Sequence, residues 1–226
     1  MLSLSRAWDD LPAGARAAIE EQWAGLASGG LPCGASLVAP DGAVVAAGRN
    51  RAYDPAGPAE SLQRYPLQHN RLAHAELNAL AKVPTEADHA ALTMWCTQHP
   101  CLMCASAARF AGVGKVLFIA DDPSDHSSEE ARAATRGKVP YERLGDPVWW
   151  TVCNLLFLYG SVELRGPKAA NLESNRERYP GLVALAIRLA EEGELGRAAR
   201  SGTSLVEALE PHAQAIAEVS RSVRPS

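Results

Sequence analysis

Residues 91–122 read ALTMWCTQHPCLMCASAARFAGVGKVLFIADD, and the order of elements in this stretch decides the fold class. Residues 91–96 are a brief apolar run suited to a buried strand. Residues 101–111 are Ala-rich with helical periodicity, and Gly114 closes them. Residues 115–120, KVLFIA, form a second buried strand, followed at once by Asp121 and Asp122. Strands alternating with helices in this way predict an α/β sandwich.

Working outward, residues 73–82 repeat Ala and Leu at helical spacing. Residues 35–38 and 43–47 are short apolar runs joined by Pro40-Asp41-Gly42, where Asp-Gly marks a hairpin turn. Residues 11–27 return Ala, Ile, Trp and Leu on a helical period until Gly29-Gly30 stops them. Between hairpin and helix, residues 51–70 contain three prolines and two tyrosines, the composition of a long loop or insertion.

Beyond Asp122 the character changes. Residues 123–138 are polar and charged, whereas residues 149–159 are the most apolar of the chain. That run is too short to span a bilayer and includes Asn154, so it reads as a buried helix or strand. Residues 182–192 and 204–220 are amphipathic helices separated by Gly196 and Gly202. The expected architecture is a three-layer α/β/α sandwich with an appended C-terminal helical segment. Its main domain occupies residues 1–164 (core about 16–123, insertion 51–70), and a helical extension at 165–226 packs on it.

The formal charge of −4 supplies no general attraction to polyanions, because non-specific nucleic-acid binding rests on clustered Lys and Arg. The opening MLSLSRAWDD lacks the basic start and long apolar run of a secretory signal, so a cytoplasmic location without membrane attachment is expected. An odd number of cysteines, five, then argues for reduced thiols rather than a disulfide framework.

Two of those thiols belong to a constellation. His74, Cys101 and Cys104 are one imidazole and two thiols, the donor set zinc prefers, and three protein ligands leave a fourth position for water. Cys101 and Cys104 stand i, i+3, which brings them to one side of a helix start. There the unpaired N–H groups and the dipole favour thiolates. Glu76 follows His74 by two residues, and i, i+2 positions do not share one flank of a helix. The set works only if the metal sits over the helix's N-terminal end. Glu76 there reaches a metal-activated water as a proton carrier without ligating the metal.

Each residue also has a plainer reading. A lone His74 is a helix-start or core histidine, Glu76 a first-turn acid, and Asn50 a hairpin cap. Cys33, Cys96 and Cys153 read as small buried apolar residues, and Trp149 and Trp150 as packing aromatics. His99 is divided between a group at the substrate edge and a supporting one, and Asp121 or Asp122 follows a strand end where α/β folds place ligand groups. Arg64, Tyr65, His69 and Arg71 of the insertion either decorate the surface or bind a base or phosphate.

H-x-E followed by P-C-x-x-C is the signature of zinc-dependent nucleobase deaminases. At ordinary composition the pair arises by chance in fewer than roughly one chain in a thousand. LPCGASLVAPDGAVVAAGRN, HAELNAL and TQHPCLMCASAARFAGVGKVLFIADDP together resemble the cytidine deaminase-like superfamily, nearest its cytosine, guanine and transfer-RNA adenosine deaminase branch. The likeness covers about residues 16–123. It implies that Asn50 and the backbone of Ala75 hold the base or its sugar, and that Gly34 and Ala35 line the pocket floor. It also implies Zn2+ at His74, Cys101 and Cys104, proton transfer by Glu76, and a homodimer. His99 departs from the Glu usual in transfer-RNA adenosine deaminases, and Cys33 stands where valine is common. The implied reaction is hydrolytic removal of an exocyclic amino group with release of ammonia, read here on a free nucleobase or nucleoside; substrate contacts from His99 and Asp122 rest on their positions, not on the likeness. The alternatives are a transfer-RNA adenosine deaminase and a catalytically silent, zinc-stabilised binding module.

Overall fold

The computed structural model describes residues 3–54 and 67–223. Five strands form one sheet in the order β2-β1-β3-β4-β5: β1 (Gly34–Val38), β2 (Val44–Arg49), β3 (Thr93–Gln98), β4 (Lys115–Ala120) and β5 (Tyr141–Arg143). Strand β1 is antiparallel to both β2 and β3, while β3, β4 and β5 are parallel. Strands β2, β3 and β4 therefore all end on the same edge of the sheet. Brief apolar strands joined through a helix have no tight hairpin to pair them, which is why β3 and β4 run parallel across α4 (Leu102–Ala111).

Side chains alternate across the pleat and divide the interior into two cores. Leu37, Met94, Cys96 and Val116 meet Ala75 and Ala79 of α3 (Ala75–Leu80) and Ala108 of α4 on one face. Val38, Trp95 and Ile119 meet α2 (Ala13–Ala27) and α6 (Pro147–Arg165) on the other. The three-layer α/β/α sandwich expected from the sequence is present.

Helix α6 settles the ambiguity of the apolar run. It is buried continuously from Trp149 to Ser161, the pattern of a helix covered on all sides. Pro147 occupies its first turn and Asp146 Oδ1 accepts from the amides of Val148 (2.8 Å) and Trp149 (3.2 Å), a well-formed N-cap. Around it pack α1 (Leu4–Asp9), α8 (Pro180–Glu192), α9 (Glu194–Arg200), α10 (Leu205–Leu209) and α11 (Ala213–Ser222), one apolar cluster continuous with α2. A short α7 (Ala170–Asn175) links α6 to α8.

Three features differ from expectation. Residues 204–220 are two helices rather than one, because Pro211 in the turn Glu210–His212 cannot continue the hydrogen-bond ladder. The polar segment after Asp122 contains α5 (Glu129–Arg136), capped by Ser128, whose charged face concealed no apolar stripe. Strand β5, at three residues, is too short for any alternation to announce it. Of the expected insertion, residues 55–66 lie outside the described residues, and with them Arg64 and Tyr65. Among the described residues no helix is long and apolar enough to cross a membrane.

Candidate metal centre and active site

Two helix starts face each other at the carboxyl edge of the sheet. His74 is the N-cap of α3 and Cys101 the N-cap of α4; both have extended backbones (φ −71°, ψ 157° and φ −63°, ψ 168°). Neither caps its own helix with a side-chain hydrogen bond, and neither is of a type favoured for capping. Their side chains are turned instead to one another. His74 Nδ1 lies 3.7 Å from Cys101 Sγ and 3.5 Å from Cys104 Sγ, and the three donor atoms all fall within 4.8 Å.

Those separations test the fit of a metal. Zinc–sulfur bonds of ~2.3 Å and zinc–nitrogen bonds of ~2.0–2.1 Å at a tetrahedral angle place N and S apices about 3.5–3.6 Å apart. The observed pairs match, so the donor set is already spaced for a tetrahedral ion. Because His74 precedes the helix, the rule that parts i from i+2 does not act on it. Glu76 lies one residue inside α3, buried, with Oε2 3.3 Å from Cys104 Sγ.

The electrostatics follow from crowding these groups together. A hydrogen bond from the Cys104 thiol, then one with His74, hold the Cys101 thiol down to about 4 against the effect of burial. The same Cys101 contact, with burial, holds Cys104 well up. Hydrogen bonding to Cys101 raises His74 despite its partial burial. Burial raises the Glu76 carboxyl, with the Cys101 charge adding and His74 opposing. One thiolate, one thiol and a carboxyl of raised proton affinity share a space suited to a cation.

A cavity of about 780 Å³ opens over this cluster, bordered by His74, Glu76 and Cys101. Asn50, Gly34 and Ala75 also border it. Asn50 Oδ1 accepts from the Ala52 amide at 3.0 Å, so what the side chain has left to offer a ligand is its Nδ2 donor. Ala75 supplies a first-turn amide of α3, a position without an intrahelical acceptor. Gly34 must be glycine: a Cβ there would stand 1.9 Å from the carbonyl oxygen of Ala18. Ala35 corrects the expectation. It does not border the cavity but is wholly buried in the sheet core, since adjacent strand residues face opposite sides.

His99 and Asp122 border the cavity as well. The His99 ring stands edge-on to Phe118, centroids 4.7 Å apart, and its Nδ1 is buried with no hydrogen-bond partner among the described residues. Burial, then the Arg132 charge, lower its pKa, leaving the ring neutral near pH 7. The Asp122 carboxyl is pushed up to about 7, chiefly by burial, although it accepts from the Ser124 amide at 2.8 Å. Asp121 turns away, bonded to Trp150 Nε1 (3.2 Å) and Arg143 (3.5 Å).

Sequence reading passed over several cavity residues: Tyr53, Phe157 and Arg165 on its walls, Thr97 and Gln98 on its floor. Thr97 Oγ1 accepts from the Gly34 amide (3.0 Å) and is 2.6 Å from Gln98 Oε1. The Gln98 amide donates to the carbonyl of Cys153, which also accepts from Gln22. No chemical signal marks such residues, because their placement depends on contacts across the fold. His69 of the insertion and Arg71 just beyond it do reach the rim.

Residues 11–120 match the model of the cytidine and deoxycytidylate deaminase zinc-binding region. That stretch, residues 11–120, is a zinc-binding region of the cytidine deaminase-like type. Zinc is accordingly the metal of the His74–Cys101–Cys104 cluster's region, and deamination of a base-containing substrate is the chemistry of the family. Solved structures similar to this chain include a transfer-RNA deaminase of A-to-I editing at the wobble position, at 22% identity and TM-score 0.43, over 58% of this chain and 96% of that one. An NE0047 mutant in complex with 8-azaguanine is 20% identical over 70% of this chain and 93% of its own, TM-score 0.48. The dCMP deaminase of cyanophage S-TIM5 is 24% identical over 50% of this chain and 80% of its own, TM-score 0.35. No curated protein matches the chain.

Proposed function

We propose that this deaminase acts on a small-molecule nucleobase or nucleoside, with His74, Cys101 and Cys104 as zinc ligands and Glu76 as the proton carrier. One observation carries the reading: a single cavity is bordered at once by His74 and Cys101 of a tetrahedrally spaced metal-donor set, whose third member Cys104 lies buried behind them, by a buried carboxyl of raised proton affinity, and by donors for a ring. Zinc held there supplies Lewis-acid activation of water near neutral pH.

The chain's own groups do the rest. Glu76, whose burial strengthens its hold on a proton, takes one from water at a carboxylate oxygen and delivers it toward the ring and the departing amine. The Asn50 Nδ2 and the Ala75 amide donate to acceptors on the base or sugar and fix its ring relative to Glu76. In net balance the exocyclic C–N bond breaks, a carbonyl replaces it, one water is consumed and ammonia leaves.

A formal charge of −4 favours a small substrate over transfer RNA, whose binding draws on phosphate neutralisation. A silent binding module would have no use for Glu76, and structural zinc sites generally complete four protein ligands. The test is ammonia release over a panel of cytosine, adenine and guanine and their nucleoside derivatives, with Glu76→Gln as the control. We expect the variant to keep its zinc and its melting temperature while the rate falls about 10²–10⁴-fold. An undiminished rate in the variant would refute the role of Glu76.

A further inference from the structure

A carbonyl in the middle of α6 is gripped by side chains from two other elements. The Cys153 carbonyl accepts from Gln22 Nε2 of α2 at 2.9 Å and from Gln98 Nε2 of β3 at 3.0 Å. Gln22 Nε2 donates also to the Pro32 carbonyl at 3.0 Å, so both of its N–H bonds are spent. The other arm of Gln98, Oε1, accepts from Thr97 Oγ1 at 2.6 Å, and Thr97 Oγ1 accepts in turn from the Gly34 amide at 3.0 Å. One chain of hydrogen bonds thus runs from α6, through the strand end that precedes Pro100 and Cys101, to the start of β1. Cys153 lies beyond residues 11–120, so the chain joins the zinc-binding region to the helices that follow it.

Stability alone does not account for this arrangement. Gln22 and Thr97 are fully buried and Gln98 is 6% exposed, places that apolar side chains fill at less cost. Gln22 Oε1 has no hydrogen-bond partner among the described residues, and a buried acceptor left in that state is destabilising. The core carries that burden to keep two donors in place, and what buried polar networks confer in return is a single, specified geometry.

The part so specified is a wall of the cavity. In an α-helix the carbonyl of residue i faces the N–H of residue i+4, so the Cys153 carbonyl is the one in line with Phe157. Phe157 borders the cavity, as do Gly34, Thr97 and Gln98. Further along α6, Arg165 donates to the Tyr53 hydroxyl on the same cavity. None of the network's bonds reaches His74, Cys101 or Cys104.

On the footing of the deamination proposed for this cavity, we propose that Gln98 is a positioning residue: through the Cys153 carbonyl it holds Phe157 in place as the apolar wall on which the substrate ring packs. Ligand cavities orient flat rings on such walls, and a wall that wanders weakens binding before it touches the chemical step. Removing Gln98 orphans nothing. The Cys153 carbonyl keeps Gln22, and the Thr97 hydroxyl keeps the Gly34 carbonyl at 3.2 Å. Gln98→Met, an unbranched replacement, therefore tests position apart from stability.

The experiment uses the zinc-loaded full chain and the compound of the ammonia-release panel that the wild type turns over fastest. For Gln98→Met we expect KM to rise about tenfold, the equivalent of one hydrogen bond, with kcat within about threefold and the melting temperature unchanged. Phe157→Leu should raise KM similarly, and the double variant should be no worse than either single one, since both changes act on one wall. In cobalt-substituted protein the visible absorption of the metal should be identical for wild type and Gln98→Met. An unchanged KM overturns the positioning role and leaves the deaminase standing. A melting temperature lowered by more than about 4 °C marks the network as a stability device and overturns it too. Additive effects of the two substitutions, or a shifted cobalt spectrum, detach Gln98 from Phe157 and overturn it likewise. Ammonia from none of the compounds overturns the deaminase reading and the positioning role with it.

Discussion

His74 and Cys101 enter the cavity from the residue just before a helix, inside the zinc-binding region, whereas Phe157 and Arg165 enter it from a long apolar helix well beyond that region. The first pair is held by local geometry: an extended N-cap residue aims its side chain across the start of its own helix, and two such starts meet at one sheet edge. The second pair is held by docking, through Gln22 and Gln98 on the Cys153 carbonyl and through the apolar cluster around α6. The metal-donor set is placed by short-range backbone rules and the cavity wall facing it by long-range packing. Changes in the two regions should therefore fail in different ways.

The sharpest separation is between two buried cysteines. Cys104 sits in the donor cluster, whereas Cys153, equally buried, sits in α6 and contacts the site only through its backbone carbonyl. Cys104→Ala should drop zinc content from one per chain to near zero and ammonia release by about three orders of magnitude or more. Cys153→Ala should keep zinc stoichiometric and cost only stability, about 1–2 kcal/mol for a small buried apolar group. Elemental analysis and a urea titration of both variants suffice. Full zinc in the first or lost zinc in the second would erase the distinction.

Gly160→Ala probes the docking itself. A Cβ there would stand 2.1 Å from Pro32 Cδ and 2.6 Å from its Cγ, and Pro32 leads directly into Cys33 and Gly34 on the cavity wall. Overpacking of this kind costs about 1–3 kcal/mol. Zinc content should hold while KM rises, because the contact displaces a wall and leaves both helix starts alone. Loss of zinc together with stability would show that the two regions are one mechanical unit.

The same division explains what the sequence disclosed. Helix and strand order through residue 120 follows from periodicity, and His74, Glu76, Cys101 and Cys104 were legible because their spacing is itself the geometry. Ala35 was misplaced for want of the strand's facing, which a five-residue run of uniformly buried side chains does not reveal. Arg165 and Phe157 carried no signal, since an arginine ending a helix and a phenylalanine in an apolar run are ordinary in themselves. Only their distance from Tyr53 and Gln98 in the folded chain gives them meaning, and no local pattern encodes that distance.

The smallest effect concerns Asp122, which lies between the two regions at the end of β4. Its carboxyl is pushed up to about 7, with burial the leading cause and the charge of Asp125 adding to it. An unfolded aspartate titrates near ~3.9, so between about pH 4 and pH 7 the folded chain holds a proton that the unfolded chain has released. Folding stability therefore falls as pH rises through that window and levels off above it. Asparagine cannot ionise and keeps the oxygen that accepts from Ser124, so Asp122→Asn should remove this slope. Relative to the wild type the variant should gain about 1–3 kcal/mol between pH 4.5 and pH 7.5, an allowance reduced for the residue's incomplete burial. Urea titrations of both proteins at the two pH values measure the difference directly. Parallel pH profiles would mean that Asp122 is ionised in the fold throughout, and that the β4 end of the cavity is as open to water as its rim.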